Sequence, residues 1–544
     1  MDELLTPHAD DARVLLEYKQ RLSRSMLWRL QRDFFDQRGV RAWSEGTVPH
    51  YVVSNPFIAK AYANVVFGFL RDCRAVDNVP ENSGFAALDL SKPVYIIELG
   101  SGPGRFAFHF IRNLLGSFGG SILNGVNFKY VMTDFAERNV EFWSSHPALQ
   151  PFVEQGVLDF ARYDVNRDED IKLNVSGDIL SAETVGNPLV VLSNYFFDSI
   201  PQDVFYVEGG QLHECLVTLL SAQADRNDDD PELLNRIQIS YDDNPTSPEY
   251  YDDPEFNCIL RDYQQRLPST NILFPCAALS CIRHLRQLSK GRMLLLAGDK
   301  GYIKEEALLS RGKPELNLHG SFSMMVNFHA IGQYFHNQGG TTLHTSHCHA
   351  SINICAFLLG TNSAGYAETQ LAYHKAIEKG GPDDFFTLKK GIEKHYEDLT
   401  LEQLLALMRL SGWDSKIFLD AFPALLNQVE STSESLQQEL NLAIQQVWDN
   451  YYHIGEERDI AFYMAMLLYG MKDYREALEY FDHSLRLYGP DASTLYNMAM
   501  CHYSLRQLDQ AIECVNQTLE INPAFDAAKT MRIKIQSEMA GQTP

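Results

Sequence analysis

Continuous apolar runs alternate with helical periodicities over the first two-thirds of the chain, and helical patterns alone fill the last third. The clearest run, 94–97, is β-branched or aromatic throughout, which suits a strand buried on both faces of a parallel sheet. It leads into Glu98-Leu99-Gly100-Ser101-Gly102-Pro103-Gly104, after which Phe106, Phe110, Ile111, Leu114 and Leu115 recur at helical spacing. Strand, glycine turn and helix in that order form the first βα unit of a doubly wound sheet, with its crevice at the carboxyl ends of the strands. Further strands are predicted at 128–132, running on to Thr133-Asp134, at 156–165, at 189–194 and as a final pair within 341–359. Ahead of the sheet, Val14, Leu15, Tyr18, Leu22, Met26, Leu27 and Leu30 predict one amphipathic helix over 11–38. Asn55-Pro56 then opens an apolar helix over 58–70, asparagine capping and proline fitting the first turn.

The turn narrows the ligand. A dinucleotide fingerprint would place its third small residue at Arg105, and arginine there argues against NAD or FAD. The order E-x-G-x-G-x-G instead resembles motif I of class I S-adenosylmethionine (SAM) methyltransferases. That resemblance implies S-adenosyl-L-methionine as cofactor, on a turn made by Gly100, Ser101, Gly102 and Gly104. Glu98 suits the ammonium, and N–H groups at the helix start suit the carboxylate. Asp134, closing the second strand, is the expected ribose ligand; a helix cap is the alternative. Tyr163-Asp164 is expected beside the adenine. After the buried run 189–194, Asn194, Tyr195 and Asp198 face the crevice among aromatics and are the expected catalytic residues, Asn194 also touching the cofactor.

Asn194, Asp198 and Pro201 match a segment of the MidA-type methyltransferase family that reads Asn-Glu-hydrophobic-hydrophobic-Asp-Ala-hydrophobic-Pro. The segments 51–57, 291–302 and 319–328 also resemble that family, so the similarity spans roughly 10–365 on four short motifs. It implies a Rossmann-like fold and a methyltransferase acting on a protein side chain; mitochondrial members methylate an arginine of a respiratory complex I subunit during assembly. Tyr195 departs from the pattern, standing where the family has glutamate. A phenol forms no bidentate ion pair with a guanidinium. A non-catalytic assembly factor built on the same fold is therefore the competing expectation.

Composition sets limits. Lys and Arg total 46 against 71 Asp and Glu, a net charge of −25, without a Lys/Arg-rich run, which argues against nucleic acid as a partner. The acid-rich pieces Asp228-Asp229-Asp230 and Tyr250-Tyr251-Asp252-Asp253 lie in an insertion at about 210–290, either recruiting a basic substrate or forming a solvated loop. Nine scattered cysteines with no C-x-x-C pair read as reduced core residues of a cytoplasmic protein. No signal peptide and no apolar run of roughly 18 residues is visible. His344, His347, Cys348 and His349 invite a metal, but strand alternation would split them between faces, so none is expected.

From about 366 onward helices take over, including 399–410 and 436–447. A 34-residue repeat then pairs Ala465 with Ala499, Tyr474 with Leu508, Ala477 with Ala511, Leu485 with Leu519 and Leu487 with Ile521. This is the tetratricopeptide (TPR) pattern, small residues marking helix contacts. Two units over 459–526 with a capping helix at 527–539 need a third partner, expected from helices before 459. The expected organisation is an N-terminal helical cap at 1–90, a SAM-dependent methyltransferase domain at 91–365, a helical linker at 366–458 and TPR repeats at 459–544. The TPR helices bind a protein or peptide partner or extend the enzyme structurally; oligomeric state stays open.

Overall fold

The computed structural model describes residues 13–74, 88–118, 125–222, 232–347, 351–360 and 365–541, with the isolated positions 123, 226, 227, 230 and 349. The chain forms two compact units, Met1–Thr387 and Leu388–Pro544.

The first unit is built on seven strands: β1 (Val94–Leu99), β2 (Phe128–Asp134), β3 (Leu158–Arg162), β4 (Leu189–Asn194), β5 (Met293–Asp299), β6 (Thr341–Leu343) and β7 (Asn353–Leu359). They lie in the order β6-β7-β5-β4-β1-β2-β3. β1 to β5 are mutually parallel, and β7 runs antiparallel to both β5 and β6. Every residue of β1 is buried, as its unbroken apolar pattern requires. The Rossmann-like fold of the class I methyltransferase type and the all-α repeat module expected from the sequence are both present. The chain winds outward from β1 to β3, then returns to β4 on the other side of β1. The crevice opens where these two directions part, with Leu99 opposite Ser193. Helix Arg105–Phe118 follows the glycine turn and buries Phe106, Phe110, Ile111 and Leu114. Asn55 Oδ1 accepts from the Ile58 N–H at 3.1 Å, capping the helix Pro56–Arg74.

The single helix expected over 11–38 is corrected. Arg13–Gln20 is a strand, one 3-10 turn of helix at Leu22–Arg24 follows, and only Met26–Arg38 is α-helical. The strand pairs antiparallel with Gln211–Ala222, so its backbone groups are satisfied about 200 residues away, which a local period cannot reveal. These two strands, with Asp203–Glu208, Ile237–Thr246 and Ser269–Phe274, make a five-stranded sheet in the space expected for an insertion. Arg21 locks it: the guanidinium is bidentate to Asp203 and lies over the Tyr250 and Tyr251 rings at 4.5 and 5.0 Å. Tyr251 also donates to Asp203 at 2.7 Å, while Asp253 caps the helix Pro254–Arg266 and pairs with Arg283. The Tyr250–Asp253 stretch is thus a packed joint. Asp228 and Asp229 lie outside the described residues; Asp230 pairs with Arg236.

The histidines need a correction too, because His344, His347 and His349 sit in the connection between β6 and β7 and strand alternation does not govern them. The His347 and His349 rings lie 4.6 Å apart, and His349 Nδ1 is 3.3 Å from Asp383. Cys348 is outside the described residues. Among those described, no three His, Cys, Asp or Glu side chains form a metal-holding group.

The second unit contains Leu401–Ser411, Ser415–Val429, Glu434–Asp449, Ile460–Gly470, Tyr474–Tyr488, Ala492–Ser504, Leu508–Ile521 and Asp526–Gly541. Asp459, Asp473 and Asp491 each cap a repeat helix, accepting from the N–H of Phe462, Glu476 and Thr494. Ala465, Ala477, Ala499 and Ala511 are fully buried where helices touch, and Ser415–Val429 packs on Ile460–Gly470 ahead of the repeats. No helix among the described residues is long and apolar enough to cross a membrane. Since Ala499 is fully buried where two helices touch, Ala499→Leu should overpack the contact by about 2 kcal/mol. Hydrogen exchange on the full chain should show lost protection across Ala492–Ser504 and Leu508–Ile521 while β1 and β4 keep theirs.

Candidate active site

The glycine turn is fixed by its own backbone. Gly100, Gly102 and Gly104 all have φ between +51° and +82°, where a side chain is strained. Ser101 N–H donates to Thr133 O and Gly104 N–H to Ser101 O, both at 2.9 Å, and Trp143 Nε1 donates to Gly102 O at 3.0 Å. Space is as tight as conformation: a Cβ on Gly100 would stand 2.7 Å from the Phe196 ring, and one on Gly102 3.1 Å from Trp43.

Two lobes open over this turn, of ≈ 160 Å³ and ≈ 260 Å³, sharing Phe35, Trp43, Gly100, Tyr195 and Ser199 as walls. The smaller takes Glu98, Ser101, Gly102, Asn194 and Asp198 from the expected set; the larger takes Asp134 and Asp164 with Tyr163. Gly104 shapes the turn without lining either lobe.

Glu98 is buried, and its Oε2 has no hydrogen-bond partner. Burial pushes its carboxyl up to about 7, partly offset by the nearby hydroxyls of Ser101 and Tyr130. Asp134 differs. Its carboxylate accepts from Gly102 N–H at 3.2 Å, Ala136 N–H at 3.0 Å and Asn139 Nδ2 at 3.0 Å. A carboxylate offers about four lone-pair positions, so these bonds leave about one for a ligand. Burial raises its pKa to about 6. It does not cap the next helix, which starts at Glu137 behind Ala136. Asp164 is tied to Arg32 at 2.9 Å, and that guanidinium lies over the Phe135 ring at 4.4 Å.

At the end of β4, Asn194 Oδ1 accepts from Tyr62 at 2.7 Å. Tyr195 takes the left-handed conformation, φ +49°, with its N–H donating to Gly298 O at 2.9 Å. Its phenol walls both lobes, and burial pushes its ionisation up, so it stays neutral at ordinary pH. Asp198 accepts from Ser199 Oγ at 2.7 Å and donates its backbone N–H to Asp299 Oδ2 at 3.1 Å. Burial raises both carboxyls, Asp299 the more because Asp198 faces it, so both lean toward the neutral form.

Sequence reasoning did not assign Asp299, although it ends β5 as Asn194 ends β4 and its position was therefore readable. Lys300 and His319 join the smaller lobe, and Arg32, Phe35 and Trp43 reach the crevice from the N-terminal segment. No local pattern could have placed those last three.

No curated protein matches the chain. The tetratricopeptide-repeat family matches residues 457–524. Among solved structures the chain is similar to an uncharacterized superfamily protein from Burkholderia thailandensis, at 14% identity over 63% of this chain and 89% of that one, with TM-score 0.37. A candidate methyl transferase from the same organism, bound to S-adenosyl-homocysteine, matches at 13% identity over 63% and 96%, TM-score 0.35. YrrB, a TPR protein with an unusual peptide-binding site, matches at 15% identity over 32% and 84%, TM-score 0.24. At such identities the chemistry has to be read from the crevice's own residues.

Asp134→Ala should strand the N–H groups of Gly102 and Ala136 and the Asn139 amide in a buried place. The expected loss is about 3 kcal/mol of stability before any ligand is added, read as a lower melting temperature of the ligand-free chain.

Proposed function

We propose that the chain is a cytoplasmic S-adenosyl-L-methionine-dependent methyltransferase acting on a protein side chain, with its TPR helices binding a protein or peptide partner. One observation carries this reading: Glu98, at the strand-order reversal and beside the glycine turn, is a buried carboxylate with an unpartnered oxygen. An acid in that state, met from within the chain only by the nearby Ser101 and Tyr130 hydroxyls, favours a cationic donor from a ligand, and an amino-acid ammonium suits it. The turn at Gly100, Ser101, Gly102 and Gly104 lets a ligand approach the backbone. Asp134 offers its remaining lone pair to a ribose hydroxyl, and Tyr163 and Asp164 lie in the larger lobe, on the adenine side.

When bound, SAM supplies a methyl group on a sulfonium sulfur. The residues of the chain hold the reactants in line, which is the main source of rate in such a transfer. Asn194, Tyr195 and Asp198 face the acceptor, and Asp198, backed by Asp299, is placed to take a proton from it. The resemblance to MidA-type proteins implies arginine as the acceptor. Tyr195 in place of glutamate favours a second reading, a non-catalytic assembly factor that keeps the fold and acts through its TPR helices.

Calorimetry decides the first point. SAM should bind the full chain and be lost in folded Gly102→Val, where both φ and Trp43 oppose a side chain. Affinity should fall as pH drops below about 7, by up to tenfold per unit, because the protonated Glu98 no longer attracts the ammonium. Glu98→Gln should bind more weakly at pH 8 and lose this dependence; unchanged binding would remove Glu98 from the site. Labelled SAM incubated with lysate protein separates the two readings. Label in protein supports the enzyme, whereas partner capture without turnover supports the assembly factor.

A further inference from the structure

One contact behind the smaller lobe has no role in the reading above. Tyr62, fully buried on helix Pro56–Arg74, donates its phenolic O–H to Asn194 Oδ1 at 2.7 Å. Gly298 is the β5 residue in register with Asn194, and the contact needs it to be glycine. A Cβ there would stand 2.5 Å from the Tyr62 oxygen and 2.7 Å from Asn194 Oδ1.

This bond sets the polarity of the amide. The Tyr62 phenol makes no other hydrogen bond among the described residues, so turning Asn194 over would leave the phenolic proton without an acceptor. With Oδ1 engaged, Nδ2 remains, buried and without a partner, on a residue that lines the ≈ 160 Å³ lobe. Glu98 Oε2, on the neighbouring strand, is buried and unpartnered in the same lobe. One lobe therefore presents an orphan donor and an orphan acceptor, with the unpartnered Ser101 hydroxyl beside the acid, and buried polar groups left in that state mark a place for a ligand.

We propose that Tyr62 and Gly298 are positioning residues that hold Asn194 as a hydrogen-bond donor, so that the lobe grips both ends of an α-amino acid. Glu98 takes the ammonium and Asn194 Nδ2 takes the carboxylate. The identity of that amino acid, the methionine end of SAM, rests on the cofactor reading given above. A neutral donor suits the second position because it bonds the carboxylate without pairing with Glu98. The opposite amide orientation would set a carbonyl oxygen against the carboxylate and repel it.

Neutron diffraction from deuterium-exchanged, ligand-free crystals tests the lock by itself. Two deuterons on the Asn194 atom that faces away from Tyr62, and the Tyr62 deuteron pointing at Asn194, are expected. Deuterons on the atom facing Tyr62 overturn it, whatever the cofactor. The clamp is tested by calorimetry with S-adenosylhomocysteine and its decarboxylated counterpart, S-adenosyl-3-thiopropylamine, which keeps the ammonium. The wild-type chain should prefer the former by about tenfold or more, the worth of one hydrogen bond to a charged group. Asn194→Asp should erase or reverse that preference, and Tyr62→Phe, which frees the amide to turn, should shrink it at an unchanged melting temperature. Asn194→Ala replaces the aspartate variant if that one unfolds. A folded Asn194 variant that keeps the wild-type preference overturns the clamp. If the wild type binds neither compound, the cofactor reading fails and the clamp with it, while the neutron result still judges the lock.

Discussion

Each of the five parallel strands carries an acid at or just beyond its carboxyl end, and the crevice depends on how each charge is met in a place that excludes water. Asp134 is held by three N–H donors, Asp164 by Arg32, and the facing, buried Asp198 and Asp299 have their ionisation raised toward the neutral form. These are the three ordinary ways a buried carboxyl becomes tolerable: hydrogen bonding, ion pairing and staying neutral. Glu98 has an unpartnered oxygen and a pKa near neutrality, raised by burial. The acids on either side of it are already compensated from within the chain. Glu98 is met only by the nearby Ser101 and Tyr130 hydroxyls, and it lies at the strand-order reversal, where doubly wound sheets bind their ligands.

The second sheet explains why the crevice has walls. Arg21 ties the strand Arg13–Gln20 and the insertion together through Asp203, Tyr250 and Tyr251. An ion pair half-buried between aromatic rings is less screened than a surface pair, and the rings restrict the guanidinium to one geometry. Helix Met26–Arg38 follows directly from that anchor, and it delivers Arg32 and Phe35 to the crevice, with Trp43 soon after. The N-terminal segment thus builds the site as well as covering it.

How much of this the sequence disclosed follows the range of the interactions. β1 and β4 were legible because a strand buried on both faces is continuously apolar, and the glycine turn because its conformation demands residue types. The TPR units were legible because helix contacts demand small residues at a fixed period; Ala465, Ala477, Ala499 and Ala511 are all fully buried. The strand Arg13–Gln20 was hidden because Val14, Leu15 and Tyr18 fit a helical stripe as well as an edge strand, and the deciding partner, Gln211–Ala222, is remote in sequence. The expected site residues fell into two adjoining lobes, but the sequence could not show that Asp134 is largely engaged or that Tyr62 reaches Asn194.

Tyr195 combines two facts that neither sequence nor backbone states alone. A tyrosine at φ +49° carries strain of order 1 kcal/mol that glycine would avoid. The turn holds it there through the Gly298 carbonyl, the same residue whose missing side chain admits Tyr62. β5 therefore positions two consecutive residues of β4's end at once, Asn194 by leaving room and Tyr195 by accepting its N–H. Such coupling fixes the Asn194 amide and the Tyr195 backbone from one strand. On the proposed reading the Asn194 amide is turned toward the amino-acid end of the ligand, which leaves the Tyr195 phenol, a neutral group on a residue lining both lobes, to meet the acceptor without competing with Glu98 for its charge.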